Sequence, residues 1–391
     1  MSCAVESIAS RTAVLPVPHE AFDILTHIAM PLAGDPIGAD LDHVEALLSE
    51  LVASRLGSQG TTNVTSRKDA SYPYSRVRNV RFEASGNQID LFLKRIVPVR
   101  NLIEPVKCGL KNEGDLLLRL SQVMPGRVAP FFALYAEQLT LVTEGCRGNQ
   151  FDRLLLGSAL RMLWPNNRQR LVEASRRCGE WLNQFHRLTH DPGADLSDWL
   201  EYQSGEAEWR IRKLIDLDPG NSNLYRECGK RFEDDLTAFR LSGVGCTIHG
   251  DYAPHNIFVD DSGQVQVLDF FAARKAHPLA DVVNYLGKIA SYAESPLFRP
   301  WAARKLCEGF LSGYRNLDKS EHKLFRVLLV LQTIKRMLWL RSRRRNARML
   351  VSADRCRGWY VPYLMAYVST GSEETEMTWP WPFLNSLVGP E

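Results

Sequence analysis

Residues 246–281 read CTIHGDYAPHNIFVDDSGQVQVLDFFAARKAHPLAD, and their reading decides how the rest of the chain is read. The stretch holds His249-Gly250-Asp251, then Asn256 five residues past that aspartate. The apolar run Val265-Gln266-Val267-Leu268 follows and ends in Asp269. Glycine and aspartate together mark turns, so a His-Gly-Asp alone says little. An asparagine from the same loop and a second aspartate at the end of a strand-like run say more. Asp and Asn present hard oxygen donors of the kind Mg2+ takes, and Mg2+ needs few protein ligands because it keeps several waters.

Residue types and order are those of a phosphoryl-transfer site, where a protein supplies mainly positioning and charge stabilisation. Such a site also needs a fixed cation for the phosphates, so the search moves upstream. LDHVEALLSELVASRL, opened by Asp40 as N-cap and stopped by Gly57, predicts an amphipathic helix with Leu41, Val44, Leu47, Leu48, Leu51 and Val52 on its apolar face. SRVRNVRFEASGNQIDLFLKRI predicts a hairpin around a Gly-Asn turn, and its second strand, Ile89 to Ile96, carries Lys94. VKCGLKNEGDLLLRLSQV predicts a helix that carries Glu113, and a strand over Gln138 to Thr143 runs into Glu144-Gly145-Cys146. Helices fill 154–240, the clearest being RLVEASRRCGEWLNQFHRLTH with Val172, Leu182, Phe185 and Leu188 as its buried stripe. Helices resume after Asp281 through about Val368. The tail, TWPWPFLNSLVGPE, sets prolines beside tryptophans and is no helix interior. The expected organisation is an N-terminal extension (1–58), a small β-rich lobe (59–145) and a large, mostly helical lobe (146–391).

Composition sets the bounds. At 391 residues the chain has length for two or three packed units, and 45% hydrophobic with 24% charged residues is ordinary for a globular protein. A net charge of +3 carries no nucleic-acid footprint. The eight cysteines are scattered without C-x-x-C or metal spacing, which fits reduced thiols and a cytoplasmic location. No basic n-region precedes an apolar run at the N-terminus, and the apolar run Val327 to Leu331 is far short of the ~20 residues that span a bilayer. Lys335 to Arg348, KRMLWLRSRRRNAR, gathers seven basic residues. It reads as a solvated helix face, or else as a surface for an anionic glycan, an anionic substrate or an acidic membrane.

HGDYAPHN followed by VLDFF resembles the aminoglycoside phosphotransferase and choline kinase-like superfamily, which has the protein-kinase-like fold. The resemblance covers about residues 60 to 370 and rests on several ordered elements. Lys94 resembles the family lysine on the α- and β-phosphates, with adjacent Arg95 as the competing cation. Glu113 resembles its ion-pair partner, with Asp115 as the rival carboxylate. Thr143-Glu144-Gly145-Cys146 resembles the hinge that receives adenine, LNQFHRL the helix before the catalytic loop, and Asp281 the acidic residue of the D-P-x-x-D-x-A segment, with His277 in place of its first aspartate. The resemblance implies an α+β fold of two lobes with a cleft between them, and ATP and Mg2+ as cofactors. Asp251 would act on the acceptor hydroxyl, Asn256 and Asp269 would hold the metal, and His249 would brace the loop. It implies transfer of the γ-phosphate to a small-molecule hydroxyl on a sugar, glycan-linked acceptor, amino alcohol or aminoglycoside. A protein-modifying kinase and a non-catalytic kinase-fold module are the alternative readings. One departure stands out: SRKDASYPYSRV occupies the place of the glycine-rich loop before Lys94.

Overall fold

The structure, a computed structural model, describes residues 37–56, 62–72, 75–84, 86–97, 103–157, 164–239, 245–294, 298–315, 317, 319–342, 358 and 360–369. The fold is α+β. Its residues divide into two compact units: the first holds residues up to Leu118 together with Phe131–Gly145, and the second holds Arg119–Pro130 and everything from Cys146.

In the first unit, helix α1 (Ile37–Arg55) covers a five-stranded antiparallel sheet of order β1-β2-β3-β5-β4. The strands are β1 (Asn63–Ser71), β2 (Ser75–Ala84), β3 (Asn87–Ile96), β4 (Phe131–Tyr135) and β5 (Thr140–Glu144), with helix α2 (Ile103–Val123) inserted after β3. The expected hairpin turns at Gly86, whose φ of +78° a side chain would strain. Leu41, Val44, Leu48 and Val52 of α1, spaced by three and four residues, meet Val80, Phe82, Leu91, Leu93 and Val142 in one buried cluster. Burial of each such side chain is worth roughly 1.5–3 kcal/mol, so α1 is part of this unit's core and not an appendage. Leu47 and Leu51 were expected on the same face but are 44% and 45% exposed, because they fall a turn-fraction off that spacing. Buried Arg78 ties α1 to the sheet, its Nε 2.8 Å from Asp69 Oδ1 and its Nη1 3.3 Å from Glu45 Oε2. Helix α1 begins at Ile37, before the expected cap at Asp40, and β5 begins at Thr140 because Leu139 turns with φ +50°. Strands β1 and β4 were not anticipated.

The second unit is helical around two small three-stranded sheets, of order β10-β9-β6 and β11-β8-β7. Its strands are β6 (Asn149–Gln150), β7 (His190–Asp191), β8 (Gly245–Ile248), β9 (Ile257–Val259), β10 (Val265–Val267) and β11 (Arg274–Ala276). Its helices are α3 (Phe151–Gly157), α4 (Pro165–Leu188), α5 (Ser197–Leu217), α6 (Ser222–Thr237), α7 (Leu279–Tyr292), α8 (Pro300–Tyr314) and α9 (Lys319–Ser342). Helix α4 buries Leu171, Ala174, Ser175, Cys178, Trp181, Leu182, Phe185 and His186. Leu188, expected in that stripe, is 47% exposed at the helix end. The first 36 residues, Arg343–Arg348 of the basic run and the tail from Thr378 lie outside the described residues. Among the described residues no helix is long and apolar enough to cross a membrane.

Candidate active site

The loop between β8 and β9 is fixed by main-chain contacts. His249 is fully buried, and its ring spans two backbone groups: Nδ1 accepts from Asp251 N–H at 3.3 Å, and Nε2 donates to the Leu268 carbonyl at 3.0 Å. The carbonyl can only accept, which places the ring hydrogen on Nε2. Gly250 has φ +83°, and a Cβ there would lie 2.2 Å from the Ala272 carbonyl oxygen. Conformation and space both require glycine.

Asp281, from the first turn of α7, is 1% exposed and accepts from His249 N–H at 2.7 Å and Gly250 N–H at 2.9 Å. Its Oδ2 also lies 3.1 Å from His186 Nε2, while His186 Nδ1 lies 3.0 Å from the Tyr314 hydroxyl. A buried carboxylate thus spends both oxygens on the loop, as a buried charge must. His186 escaped the sequence reading. The available signal was a histidine continuing the apolar stripe Cys178-Leu182-Phe185 of α4 by one position. Tyr252 docks the loop on that helix: its hydroxyl donates to the Cys178 carbonyl at 2.8 Å, and its ring stacks on Trp181 at 5.5 Å.

Asp251 keeps 48% of its side-chain surface open and receives His255 Nε2 at 3.2 Å. Burial pulls its carboxyl upward, but the hydrogen bond and charge of His255, with the charge of Lys288, outweigh this and hold its pKa below the ordinary aspartate value. Asn256 is buried, and its Nδ2 donates to the Asp251 carbonyl at 3.0 Å and to Asp251 Oδ2 at 3.2 Å. Because a carbonyl only accepts, the amide nitrogen must face Asp251, and the Oδ1 oxygen turns the other way. No described residue donates to that Oδ1.

Asp269 follows directly on Leu268, whose N–H donates to the Asn256 carbonyl at 3.1 Å and whose carbonyl takes the His249 ring. One residue therefore ties the strand end to both parts of the loop. Asp269 itself is left-handed, with φ +70° and ψ +62°, a conformation costing about 1–2 kcal/mol for a residue with a Cβ. Strain of this sort collects where a side chain must be aimed. Among the described residues no group of three His, Cys, Asp or Glu could hold a metal by itself. An Asn oxygen and one carboxylate suit Mg2+ completed by water and phosphate oxygens.

In the first unit, Lys94 of β3 lies 3.2 Å from Glu113 Oε2 and 3.4 Å from Oε1, with Glu113 1% exposed on α2. Asp115 is exposed, and Arg95 points to the opposite, buried face of the strand. Glu144 ends β5 opposite Leu91 and pairs with Arg55 of α1 at 2.9 Å. Gly145 N–H donates to the Asp90 carbonyl at 3.0 Å. In the second unit, burial pushes the Cys146 thiol up to about 12, which makes it inert, and no described residue hydrogen-bonds its main chain. SRKDASYPYSRV forms β1 and the start of β2, with Tyr72 N–H on the Ser75 carbonyl at 2.9 Å; Pro73 and Tyr74 lie outside the described residues.

The expected solvated face at Lys335–Arg341 is not found. Lys335 lies 3.4 Å from buried Glu206, Arg336 Nε 2.7 Å from Glu294, and Arg341 pairs with Asp218. Helix α9 is packed on most sides, so its cations turn inward to carboxylates.

No curated protein matches the sequence. Many solved structures resemble the chain, among them the following. Amicoumacin kinase hAmiN, in complex with AMP-PNP, Ca2+ and Ami, has a TM-score of 0.50 at 14% identity, covering 82% of this chain and 96% of that one. Choline kinase LicA from Streptococcus pneumoniae has 0.48 at 12%, covering 82% and 99%. Glucosamine kinase has 0.46 at 15%, covering 74% and 91%. At 14% identity the likeness to the amicoumacin kinase speaks to the fold alone, a kinase-like one. The model of the phosphotransferase enzyme family matches residues 78–319, more than half the chain and the whole of the loop just described. The chain belongs to the phosphotransferase enzyme family.

Proposed function

We propose that the chain is an ATP- and Mg2+-dependent kinase that moves the γ-phosphate to a hydroxyl of a small molecule. The observation that carries this is the cross-tied set of Asp251, Asn256 and Asp269, which the fold holds by main-chain bonds at some cost in strain. The AMP-PNP and Ca2+ of the amicoumacin kinase complex support a nucleotide and a divalent cation on this fold.

Asn256 Oδ1 and Asp269 would hold Mg2+, which when bound neutralises charge on the transferring phosphates. Asp251 accepts a hydrogen bond from the acceptor hydroxyl and orients it for in-line attack. The new bond joins that oxygen to the γ-phosphorus, the bond to the β,γ-bridging oxygen breaks, and the hydroxyl proton passes to the Asp251 carboxylate. His255 and Asn256 keep that carboxylate ionised and aimed. Lys94, set by Glu113, would hold the α- and β-phosphates, and the main chain at Glu144–Cys146 would take the adenine.

The test is ATP turnover over a panel of hydroxyl acceptors, comparing wild type with Asp251→Ala and Asp269→Ala. Acceptor-dependent ADP release that both substitutions abolish supports the reading. It fails if no acceptor raises ADP release and ATP does not bind in the presence of Mg2+.

A further inference from the structure

Beside the catalytic loop the second unit has a partly open pocket of about 50 Å3, lined among others by Gly250, Arg274, Asp281, Asn284, Gln332 and Lys335. A water needs about 10–15 Å3 measured this way, so the space suits a head group of a few heavy atoms. Gly250 places the pocket one residue from Asp251. Three side chains of its lining carry charge. Asp281 is committed, both oxygens taken by the His249 and Gly250 amides and by His186. The other two, Arg274 and Lys335, are cations.

Both cations are held in place. Arg274 opens β11 opposite Ile248, and its guanidinium lies 4.2 Å over the Tyr202 ring. Lys335 reaches in from α9 toward Glu206, at 3.4 Å, on the same Oε2 oxygen that Arg210 holds more closely at 2.8 Å. Burial lowers the Lys335 pKa; Glu206 opposes this, but the charges of Arg210 and Arg274 add to the lowering. An anion in the pocket relieves that repulsion. Asn284 continues the polar wall, and one turn along α7 stands Lys288, whose charge reaches Asp251. Arg274, Lys335 and Lys288 thus stand along the way from the pocket to the proposed base; Asp281 and Glu206 are already paired and Asp152 and Glu294 face Lys288, so the two lining cations are what a further anion would meet in the pocket.

We infer that the acceptor is an acid: a hydroxylated carboxylate or phosphate monoester whose anionic group sits between Arg274 and Lys335 while its hydroxyl reaches Asp251. This rests on the kinase reading above and names its substrate class.

The experiment measures Mg-ATP turnover on matched acceptors. Glycerol is set against D-glycerate and glycerol 3-phosphate, glucose against D-glucuronate and D-gluconate, and ethanolamine, choline and kanamycin form the cationic arm. The proposal expects an acid to exceed its neutral partner in kcat/KM by about tenfold or more, the carboxylate and phosphate arms showing which anion is preferred. Lys335→Met and Arg274→Gln should each raise KM for that acid by about tenfold while kcat changes less, with Lys335→Arg retaining affinity. ADP affinity, measured on every variant, shows that the fold persists. A neutral or cationic acceptor preferred over every acid overturns the proposal while leaving the kinase reading intact. Where no transfer is seen, equilibrium binding of the same acids decides. Saturable binding lost in Lys335→Met supports the proposal, and its absence in wild type that still binds Mg-ADP overturns it. Failure to bind nucleotide at all is the separate failure of the kinase reading.

Discussion

Two stretches of the chain carry the proposed chemistry, and they are built on different principles. In 246–281 every functional side chain is placed by main-chain contacts. Gly250 admits the turn, Asp281 clasps two amides, and Leu268 joins the loop to the strand that ends at Asp269. In 66–97 the counterpart is an antiparallel hairpin, where Lys94 lies in an ion pair with Glu113. In the first stretch Gly250 cannot take a side chain without moving the backbone, and Asp281 cannot be lost without freeing two buried amides. The second can change its strand residues more freely while pairing persists, provided Gly86 at the turn and the ion pair survive. A glycine-rich sequence is therefore dispensable for the hairpin's geometry, whereas Gly250 is not dispensable for the loop.

The largest effect should come from the loop. Asp251→Ala should lower kcat by roughly 10^2–10^4-fold, the span general bases supply, with the KM for ATP little changed. An equal loss in kcat and in nucleotide affinity would show instead that the substitution had unsettled the proposed metal ligands beside it. Asp281→Ala should act on stability as well as rate. It strips two buried amides and His186 of their partner, and breaking a buried charged cluster costs about 3–5 kcal/mol. Urea unfolding monitored by tryptophan fluorescence reads this directly. A loss under about 1 kcal/mol would mean that the clasp on His249 and Gly250 is not what holds the loop.

The same contrast explains what could be read without coordinates. The loop was legible because its constraints are local: a glycine at positive φ, an aspartate and an asparagine five residues apart, an aspartate at a strand end. Lys94 and Glu113 were legible through the resemblance, which asks for a lysine on a strand and a carboxylate on the helix that follows it; that Glu113 is buried was not visible in the sequence. Strand β1 was not, since Asn63–Ser71 is polar and mostly exposed and carries no alternation. Strand β4, with every residue half-buried, shows none either. Lys335, Arg336 and Arg341 misled because charge density implies solvent, whereas their partners Glu206, Glu294 and Asp218 come from segments distant in sequence. Helix α1 read correctly as amphipathic, but its place in the core of the first unit depended on Val80, Phe82, Leu91, Leu93 and Val142, which only the fold brings together.

In the hairpin stretch, Lys94→Ala should cost less than either loop substitution in rate but more in nucleotide affinity. Loss of a charge-assisted contact worth about 1.5–3 kcal/mol corresponds to roughly a 10- to 100-fold rise in the KM for ATP. Glu113→Gln keeps a hydrogen-bond partner and removes the charge, so it should give a smaller rise. If Glu113→Gln matches Lys94→Ala, the ion pair itself and not the position of the ammonium sets affinity, and the hairpin would be as rigidly specified as the loop.

The smallest effect is a shift in pH dependence, and it probes how the loop tunes the group it positions. Asp251 has a pKa below the ordinary aspartate value, with the His255 hydrogen bond as the largest lowering influence. A depressed carboxylate contributes stability, and serves as a base, above its unfolded value of about 3.9, and loses both as pH falls through its lower folded value. The acid limb of kcat/KM should therefore lie below pH 4 in wild type. His255→Ala removes the hydrogen bond and leaves burial less opposed, so the limb should move upward while the plateau at neutral pH falls only a few-fold, since Asn256 still donates to Oδ2. An acid limb that stays in place would transfer the tuning to Lys288. Because Lys288 stands on α7 and not in the loop, that result would mean the acceptor side of the site, through its cations, also governs the ionisation of the base.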